Sequence, residues 1–321
     1  MTWRGRDLVG ACLDALAAQT APHRVLVMDN ASTDGTAAVL AERGVPTVRL
    51  RRNAGYAGAL AAVLPRVETA YLAWLNDDAE PEPGWLAALE STLDSRPTVA
   101  AAGSLLLGDR VRSGAAGTPA VRSVDVQPAE VRSAGVRLTA RGHGADTVER
   151  GEVFGFCGAA ALLRTAALRA TGGVPAGFFC YYEDTDTSWR LRLAGFDIVT
   201  VDDARVRHRH GASSGLGSSR FHRWNERNRL LMLVRCAPAR IAVRELAAFP
   251  AVTVLLPVRR LVGRAVPDAA NFHVRLRLAV LAGVAARLPA ALLARVRIGR
   301  RSTVPRAEVW QRWAGHGHTA S

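Results

Sequence analysis

Apolar runs too short for helices alternate with helix-length amphipathic segments through the first two hundred residues, and this alternation narrows the fold more than any other feature. Val25 to Met28, Val45 to Leu50 and Tyr71 to Leu75 read as buried strands, whereas Arg6 to Gln19 spaces Leu8, Cys12, Leu13 and Leu16 at helical intervals, with Asp7 in the first turn. Strand and helix in turn predict βαβ units: an α/β protein with a mostly parallel, Rossmann-like sheet and helices on both faces. In such sheets ligands collect where strands end. Polar turns follow all three runs: Asp29-Asn30, then Asn53 with Gly55, then Asn76-Asp77-Asp78.

The third turn carries the most chemistry. Asp77 and Asp78 are adjacent hard oxygen ligands at the mouth of an open sheet, of the kind that join Mg2+ or Mn2+ to substrate phosphates. An acidic turn capping a helix at Pro83 to Leu93 is the plainer reading, and the Asp-Asp pair alone does not separate the two. Asp29 is placed for a ribose hydroxyl or a base edge, and glycines such as Gly55 let backbone approach a nucleotide. Any one of these turns would pass as an ordinary βα loop; three in series favour a nucleotide crevice. Ser and Thr between Asp29 and Thr36 are expected to cap the helix that runs to Arg43.

Further along, the aromatic run Phe178 to Tyr182 leads into Glu183, Asp184 and Asp186, ahead of a helix expected over Thr187 to Ala194. Apolar neighbours restrict water around a carboxylate and raise its pKa toward general-base duty. Acids at a helix N-terminus are also favourable with no function at all. A strand over Val153 to Leu163 precedes them. Another, over Phe196 to Val206, leads to His208, a further candidate ligand for a carboxylate-bound cation.

Charge divides the chain. All 42 basic residues are arginines; residues 1–203 hold 20 of them against 24 acids, and residues 204–321 hold 22 against 4. We therefore expect a domain over residues 1–215 and a basic amphipathic helical region over 216–321. Aromatic residues there are not interleaved with arginine for base stacking, so an anionic membrane surface fits better than nucleic acid. Its apolar stretches, Leu246 to Val258 broken by Pro250 and Pro257 and Leu278 to Ala294 interrupted by Arg287, fall short of an uncharged bilayer-spanning run. Residues 108–150 lose periodicity and predict a long excursion or weak hairpin. Four widely spaced cysteines without a CxxC pair read as reduced thiols in a cytoplasmic protein.

Taken together, several segments resemble the inverting family 2 glycosyltransferases of GT-A fold, in their bacterial rhamnosyltransferase-like branch. The carriers are Val27-Met-Asp-Asn-Ala-Ser-Thr-Asp-Gly-Thr36, Asn53-Ala-Gly-Tyr-Ala-Gly58, Leu75-Asn-Asp-Asp78, the stretch from Phe179 to Gly195, Val206 to Ser214, and Glu226 to Leu231. They occur in the family's order over residues 2–236. The resemblance implies that Asp29 contacts base or ribose, with Thr2, Asn53, Gly55, Asn76 and Asp77 lining the nucleotide-sugar site. It implies that Asp78, with His208, holds a Mg2+ or Mn2+ ion bridging the donor diphosphate. Asp184 would be the base that deprotonates the acceptor hydroxyl, and Glu183 would help seat the acceptor. The implied activity is inverting transfer of one sugar from a nucleoside diphosphate donor, dTDP-rhamnose among the candidates, to a cell-envelope glycan or lipid-linked acceptor. The basic amphipathic C-terminal stretches add the expectation of a cytoplasmic protein sitting peripherally at the inner face of the plasma membrane.

Departures from the family pattern are specific. The family opens on a buried strand that this chain does not show, so that Thr2 stands at the end of an expected strand and Arg4 replaces an Asn. Val174-Pro-Ala-Gly177 replaces a Phe-Asp-Glu segment, and Thr187 replaces a Leu. No Q-x-x-R-W motif occurs, which favours single-sugar transfer. A shortened, non-catalytic protein that binds nucleotide sugar or a membrane surface is the competing expectation.

Overall fold

The computed structural model describes residues 1–108, 130–209 and 217–315. The chain runs α1 (Val9–Ala17), β1 (Val27–Asp29), α2 (Thr36–Glu42), β2 (Thr47–Arg49), α3 (Gly55–Val63), β3 (Tyr71–Leu75), β4 (Ala79–Pro81), α4 (Trp85–Ser95) and β5 (Val99–Leu107). It continues through β6 (Val131–Ser133), β7 (Gly135–Leu138), β8 (Gly144–Thr147), β9 (Ala160–Arg164), α5 (Thr165–Ala170), α6 (Glu183–Leu193) and β10 (Asp197–His208). Five helices follow: α7 (Ser219–Cys236), α8 (Ala239–Leu261), α9 (Val274–Ala285), α10 (Leu288–Arg301) and α11 (Arg306–Trp313). The α/β architecture with helices on both sheet faces is the one expected.

Strand polarity is mixed. The main sheet runs β3-β9-β5-β10-β4, with β6 added to β5; β5 and β10 are parallel, while β9 lies antiparallel to both β3 and β5. Parallel pairing needs a crossover, usually helical, and among the described residues none lies between β5 and β9. Instead the chain passes through the antiparallel hairpin β7–β8 and returns from the opposite end. That hairpin lies in the stretch expected to form a long excursion or weak hairpin, of which residues 109–129 fall outside the described residues. β5 is buried from Val99 to Leu106, which explains its unbroken small apolar sequence.

Several local boundaries differ from the sequence expectation. α1 begins at Val9, so Asp7 is not in its first turn. α2 is capped by neither Ser32 nor Thr33; Asp34 Oδ1 accepts from the Thr36 N–H at 3.2 Å and its hydroxyl at 2.5 Å. Of Val153 to Leu163 only the last four residues join β9, while Phe154 and Phe156 leave the strand to plug the core edge-on against Trp189 and Trp74. Pro250 and Pro257 do not break the C-terminal apolar stretch but lie inside α8. Each proline forfeits a backbone bond. Beside Pro250, Arg277 of α9 ties the helix to its neighbour, donating to the Phe249 carbonyl at 2.9 Å and to the Thr253 hydroxyl at 2.9 Å. Among the described residues α8 is the one helix long and apolar enough to cross a membrane by length and composition, while α9 and α10 reach that mark only as a pair bent by 53°.

One hydrophobic core crosses the compositional boundary near residue 215. It runs from Trp74 and Leu163 through Phe154 and Trp189 to Leu230–Val234 of α7 and Trp310 of α11. α7 is thus a core helix, and Trp310 stacks on Trp189 at 5.9 Å.

Candidate active site

Sheet topology brings the polar strand ends together. At the first, Asp29 is fully buried; its Oδ1 accepts from the Ser32 N–H at 2.9 Å, and its Oδ2 has no hydrogen bond among the described residues, with Arg49 Nη1 3.5 Å away. Asn30 Nδ2 donates to Asn53 Oδ1 at 3.0 Å and to the Gly55 carbonyl at 3.1 Å, while its Oδ1 accepts from the Ala54 N–H at 2.8 Å. Asn30 therefore ties the first polar turn to the second. Thr2 extends the first turn, pairing in parallel with Asp29 through Thr2 N–H to Met28 O and Asn30 N–H to Thr2 O, both 2.9 Å.

Gly55 holds a loop. Its φ is +73°, and a Cβ there would sit 2.1 Å from the Phe179 carbonyl oxygen, which also accepts from the Ala57 N–H at 3.0 Å. Gly55→Ala is expected to cost about 3 kcal/mol of stability, from the left-handed φ and the backbone collision together. A chemical denaturation curve with an unchanged midpoint would refute that reading.

At the third turn β4 pairs antiparallel with β10, which sets His208 opposite Ala79 and beside Asp78. His208 Nε2 lies 3.1 Å from Asp78 Oδ1 and 3.5 Å from Asn76 Nδ2, and both Asp78 and His208 are buried. Asn76 Oδ1 is buried with no hydrogen-bond partner among the described residues. Asp77 points to the other side, where its carboxylate crowds Thr2 and Gly5. Burial pushes Asp77 above the ordinary carboxylate range, against the pull of the N-terminal ammonium.

The acidic pair expected before a helix lies inside it, because α6 starts at Glu183. Glu183 is buried, and desolvation, followed by the charge of Asp184, pushes its pKa up to about 8. Its Oε2 has no hydrogen bond among the described residues. Asp184 is half-buried; Oδ2 accepts from the Gly158 N–H at 2.9 Å and Oδ1 from the Thr185 N–H and hydroxyl at 2.5 and 2.9 Å. Desolvation outweighs these bonds and raises its pKa. Asp186 faces the opposite way, fully buried between Arg190 and Arg235.

The two acidic clusters meet on one turn. Asn76 N–H donates to the Ala159 carbonyl at 3.0 Å, and the next residue back, Gly158, donates to Asp184. Tyr56, from the Gly55 loop, donates its hydroxyl to the Gly158 carbonyl at 2.6 Å. The Asn76 turn, Asp184 and the Gly55 segment thus share contacts to one turn at Gly158 and Ala159.

Three supporting residues had no role assigned from sequence. The aromatic run enters α6 through left-handed backbone at Phe179, Tyr181 and Tyr182. Asn228 Nδ2 donates to the carbonyls of Phe178, Cys180 and Tyr181 at 2.8 to 2.9 Å, and Arg227 donates to Phe178 O at 2.6 Å. Arg190 donates to the Thr171 and Gly173 carbonyls as well as to Asp186. In sequence the Asp186–Arg190 pair shows as opposite charges four apart on a helix, and Arg227 and Asn228 lie in the Glu226 to Leu231 block without an assigned role.

A divalent cation can be tested against the residues present. Asp78 and His208 supply a carboxylate oxygen and an imidazole nitrogen, with the unpartnered Asn76 Oδ1 beside them. Among the described residues no three His, Cys, Asp or Glu side chains cluster as a ligand set. Such a short donor set suits an ion that shares its remaining positions with diphosphate oxygens and water, as Mg2+ and Mn2+ do.

Strand ends that gather carboxylates in an α/β sheet flanked by helices define a GT-A-type nucleotide fold. The profile described as glycosyl transferase family 2 matches residues 2–172, and the chain belongs to that family. A search of curated proteins found no match. Among solved structures, GalNAc-T7 with UDP, GalNAc and Mn2+ superposes with a TM-score of 0.59 at 12% identity, over 88% of this chain and 55% of the other. This chain therefore spans about half the length of that protein. The mannosyltransferase PcManGT from Pyrobaculum calidifontis, in complex with GDP-Man and Mn2+, gives 0.50 at 19% identity over 97% and 76%. S. aureus TarS 1-349 gives 0.51 at 14% identity over 93% and 87%.

Proposed function

We propose that the protein transfers a single sugar from a nucleoside diphosphate donor, with inversion, to a hydroxyl of a cell-envelope glycan or its lipid-linked precursor. The observation that carries this is the attachment of the Asn76–Asp78 turn and of Asp184 to adjacent residues of one turn. Asp29 takes the ribose or base through its unbonded Oδ2. Asp78 and His208, with Asn76, would hold Mg2+ or Mn2+, which when bound offsets charge on the diphosphate leaving group. Asp184 removes the proton from the acceptor hydroxyl, and no covalent intermediate is needed. Glu183, neutral at pH 7, seats the acceptor by donating a hydrogen bond. dTDP-rhamnose is the donor we favour, on the motif resemblance.

A donor screen tests this: purified protein is given a panel of nucleotide sugars with Mn2+, and release of the nucleoside diphosphate is followed. One donor should react, chelation should stop it, and Asp78→Ala should slow it by about a hundredfold or more. If nucleotide sugars bind but none turns over in the presence of any acceptor fraction, the competing binding-only reading takes its place.

We further propose that the protein sits peripherally on the inner face of the plasma membrane. Support comes from exposed Val254, Leu255, Val258 and Leu261 at the C-terminal end of α8, next to Arg259 and Arg260. Vesicles containing anionic lipid should pull the protein down at low salt and release it as salt rises. No sedimentation with such vesicles would count against it.

A further inference from the structure

α7 and α9 pack side by side, and three arginines gather along their seam. Arg227 of α7 is buried, with its stem against Gly283 of α9, where a Cβ would sit 3.1 Å from Arg227 Cδ. Glycine inside a helix is unfavourable, and here its missing side chain is what admits the guanidinium. Arg287, one turn beyond Gly283, folds back so that its Nη1 donates to the Gly283 carbonyl at 3.3 Å. Arg223, one turn before Arg227 on α7, shares its helix face. Arg223 and Arg287 are both exposed.

These charges face no acid. Arg227 donates Nε to Asn228 Oδ1 at 2.9 Å and Nη2 to the Phe178 carbonyl at 2.6 Å, and its Nη1 has no hydrogen bond among the described residues. The neighbouring Glu226 is turned to Arg229 at 3.0 Å, and among the described residues none of the three arginines forms an ion pair. Burial, then the charges of Arg287 and Arg223, push the pKa of Arg227 down to about 10. Arginine is rarely buried without an opposite charge. Guanidinium groups match the oxygens of a phosphate better than any other anion of that size, two bonds at a time.

The seam adjoins the loop that leads into Glu183 and Asp184. Arg227 holds the first carbonyl of that loop, while Phe179 packs on Trp224 at 4.8 Å and Tyr181 on Phe221 at 5.0 Å. Phe221 and Trp224 lie on either side of Arg223 along α7, and both are half-buried. The donor diphosphate is already assigned to Asp78 and His208, which leaves the arginines for a second phosphate.

We propose that Arg223, Arg227 and Arg287 bind the phosphate or diphosphate of the acceptor, which selects a lipid-linked precursor over a neutral glycan. Assigning that anion to the acceptor rests on the transferase reading above. Phe221 and Trp224, beside the arginines, offer apolar surface to the chain attached to the phosphate.

The test measures binding of octyl diphosphate, octanoate and octanol to the full chain by calorimetry, with a chelator present so that no divalent ion can hold a diphosphate at Asp78. Octyl diphosphate should bind at least about tenfold more tightly than octanoate, and octanol should give no heat. Arg223→Gln and Arg287→Gln together change two exposed side chains and should weaken octyl diphosphate by at least about tenfold. Arg259→Gln with Arg260→Gln removes the same charge from α8 and should change binding by less than about twofold. The proposal is overturned if both pairs weaken binding equally, if binding requires Mn2+, or if octanoate binds as tightly. It is also overturned if the Arg223 and Arg287 pair abolishes pull-down by anionic vesicles while octyl diphosphate binds as before, for the cluster is then a headgroup contact. None of these readouts uses turnover. A protein that binds octyl diphosphate in this way but transfers no sugar would defeat the transferase reading and leave the anion site standing.

Discussion

Asp184→Asn should lower kcat by about 10²- to 10⁴-fold while leaving donor affinity unchanged, the loss expected when a general base is removed from a site that still binds. Asn keeps the size of the side chain but has one acceptor oxygen, so it can satisfy Thr185 or the Gly158 N–H and not both, and a denaturation curve for the variant separates lost chemistry from lost fold. The pH profile carries the sharper information. Burial raises the pKa of Asp184, so the acid limb of the rate should lie above the ordinary carboxylate range. Glu183 holds its proton up to about pH 8, so the rate should fall again through that value as the neutral donor is lost. Glu183→Gln, permanently neutral, should keep activity and remove the alkaline limb. If Glu183→Gln is inactive and Asp184→Asn is not, the base is Glu183. The same pKa has a stability consequence. The folded protein binds a proton at Glu183 that the unfolded chain has already released. Stability should therefore fall as pH rises from the ordinary carboxylate value toward 8 and level off above it.

Asp186→Ala, two residues on, should do the opposite: little to the chemistry directly and about 3–5 kcal/mol to stability. Arg190 Nε lies 2.7 Å from Asp186 Oδ1, and Arg235 donates to both oxygens at 2.6 and 3.0 Å. Removing the carboxylate leaves two guanidinium groups facing each other in the core. Burial works to raise the pKa of Asp186, but the charges of Arg235 and Arg190 outweigh it and hold it below its ordinary value. Its contribution is thus present at neutral pH and is lost as pH falls through that depressed pKa. A denaturant midpoint for Asp186→Ala within error of the parent would refute this account, and pairing it with Asp184→Asn tests whether one carboxylate serves turnover and the other the fold.

Strand and helix order was legible in the residues themselves, because burial on both sheet faces imposes short apolar runs and amphipathic helices whatever the surroundings. Candidate carboxylates were legible for the same local reason: Asp29, Asp78 and Asp184 stand at element ends, where side chains are free to serve a ligand. What the residues by themselves left open was which of them meet. The 3.1 Å approach of His208 to Asp78 spans 130 positions and exists only because β4 pairs antiparallel with β10. Asp184 and Asp186 look alike in sequence, yet α6 turns them to opposite sides, one toward Gly158 and one into an arginine clamp. α7 looked like part of a basic appendage because charge was averaged over a hundred residues; its Arg227 and Asn228 are spent on carbonyls of the loop that aims Glu183 and Asp184. Local pattern reports what each residue prefers to be near, water or core. Which distant partner satisfies it is decided by strand pairing and packing, and here that decision separates Asp184, held at the Gly158 turn, from Asp186, clamped between two arginines.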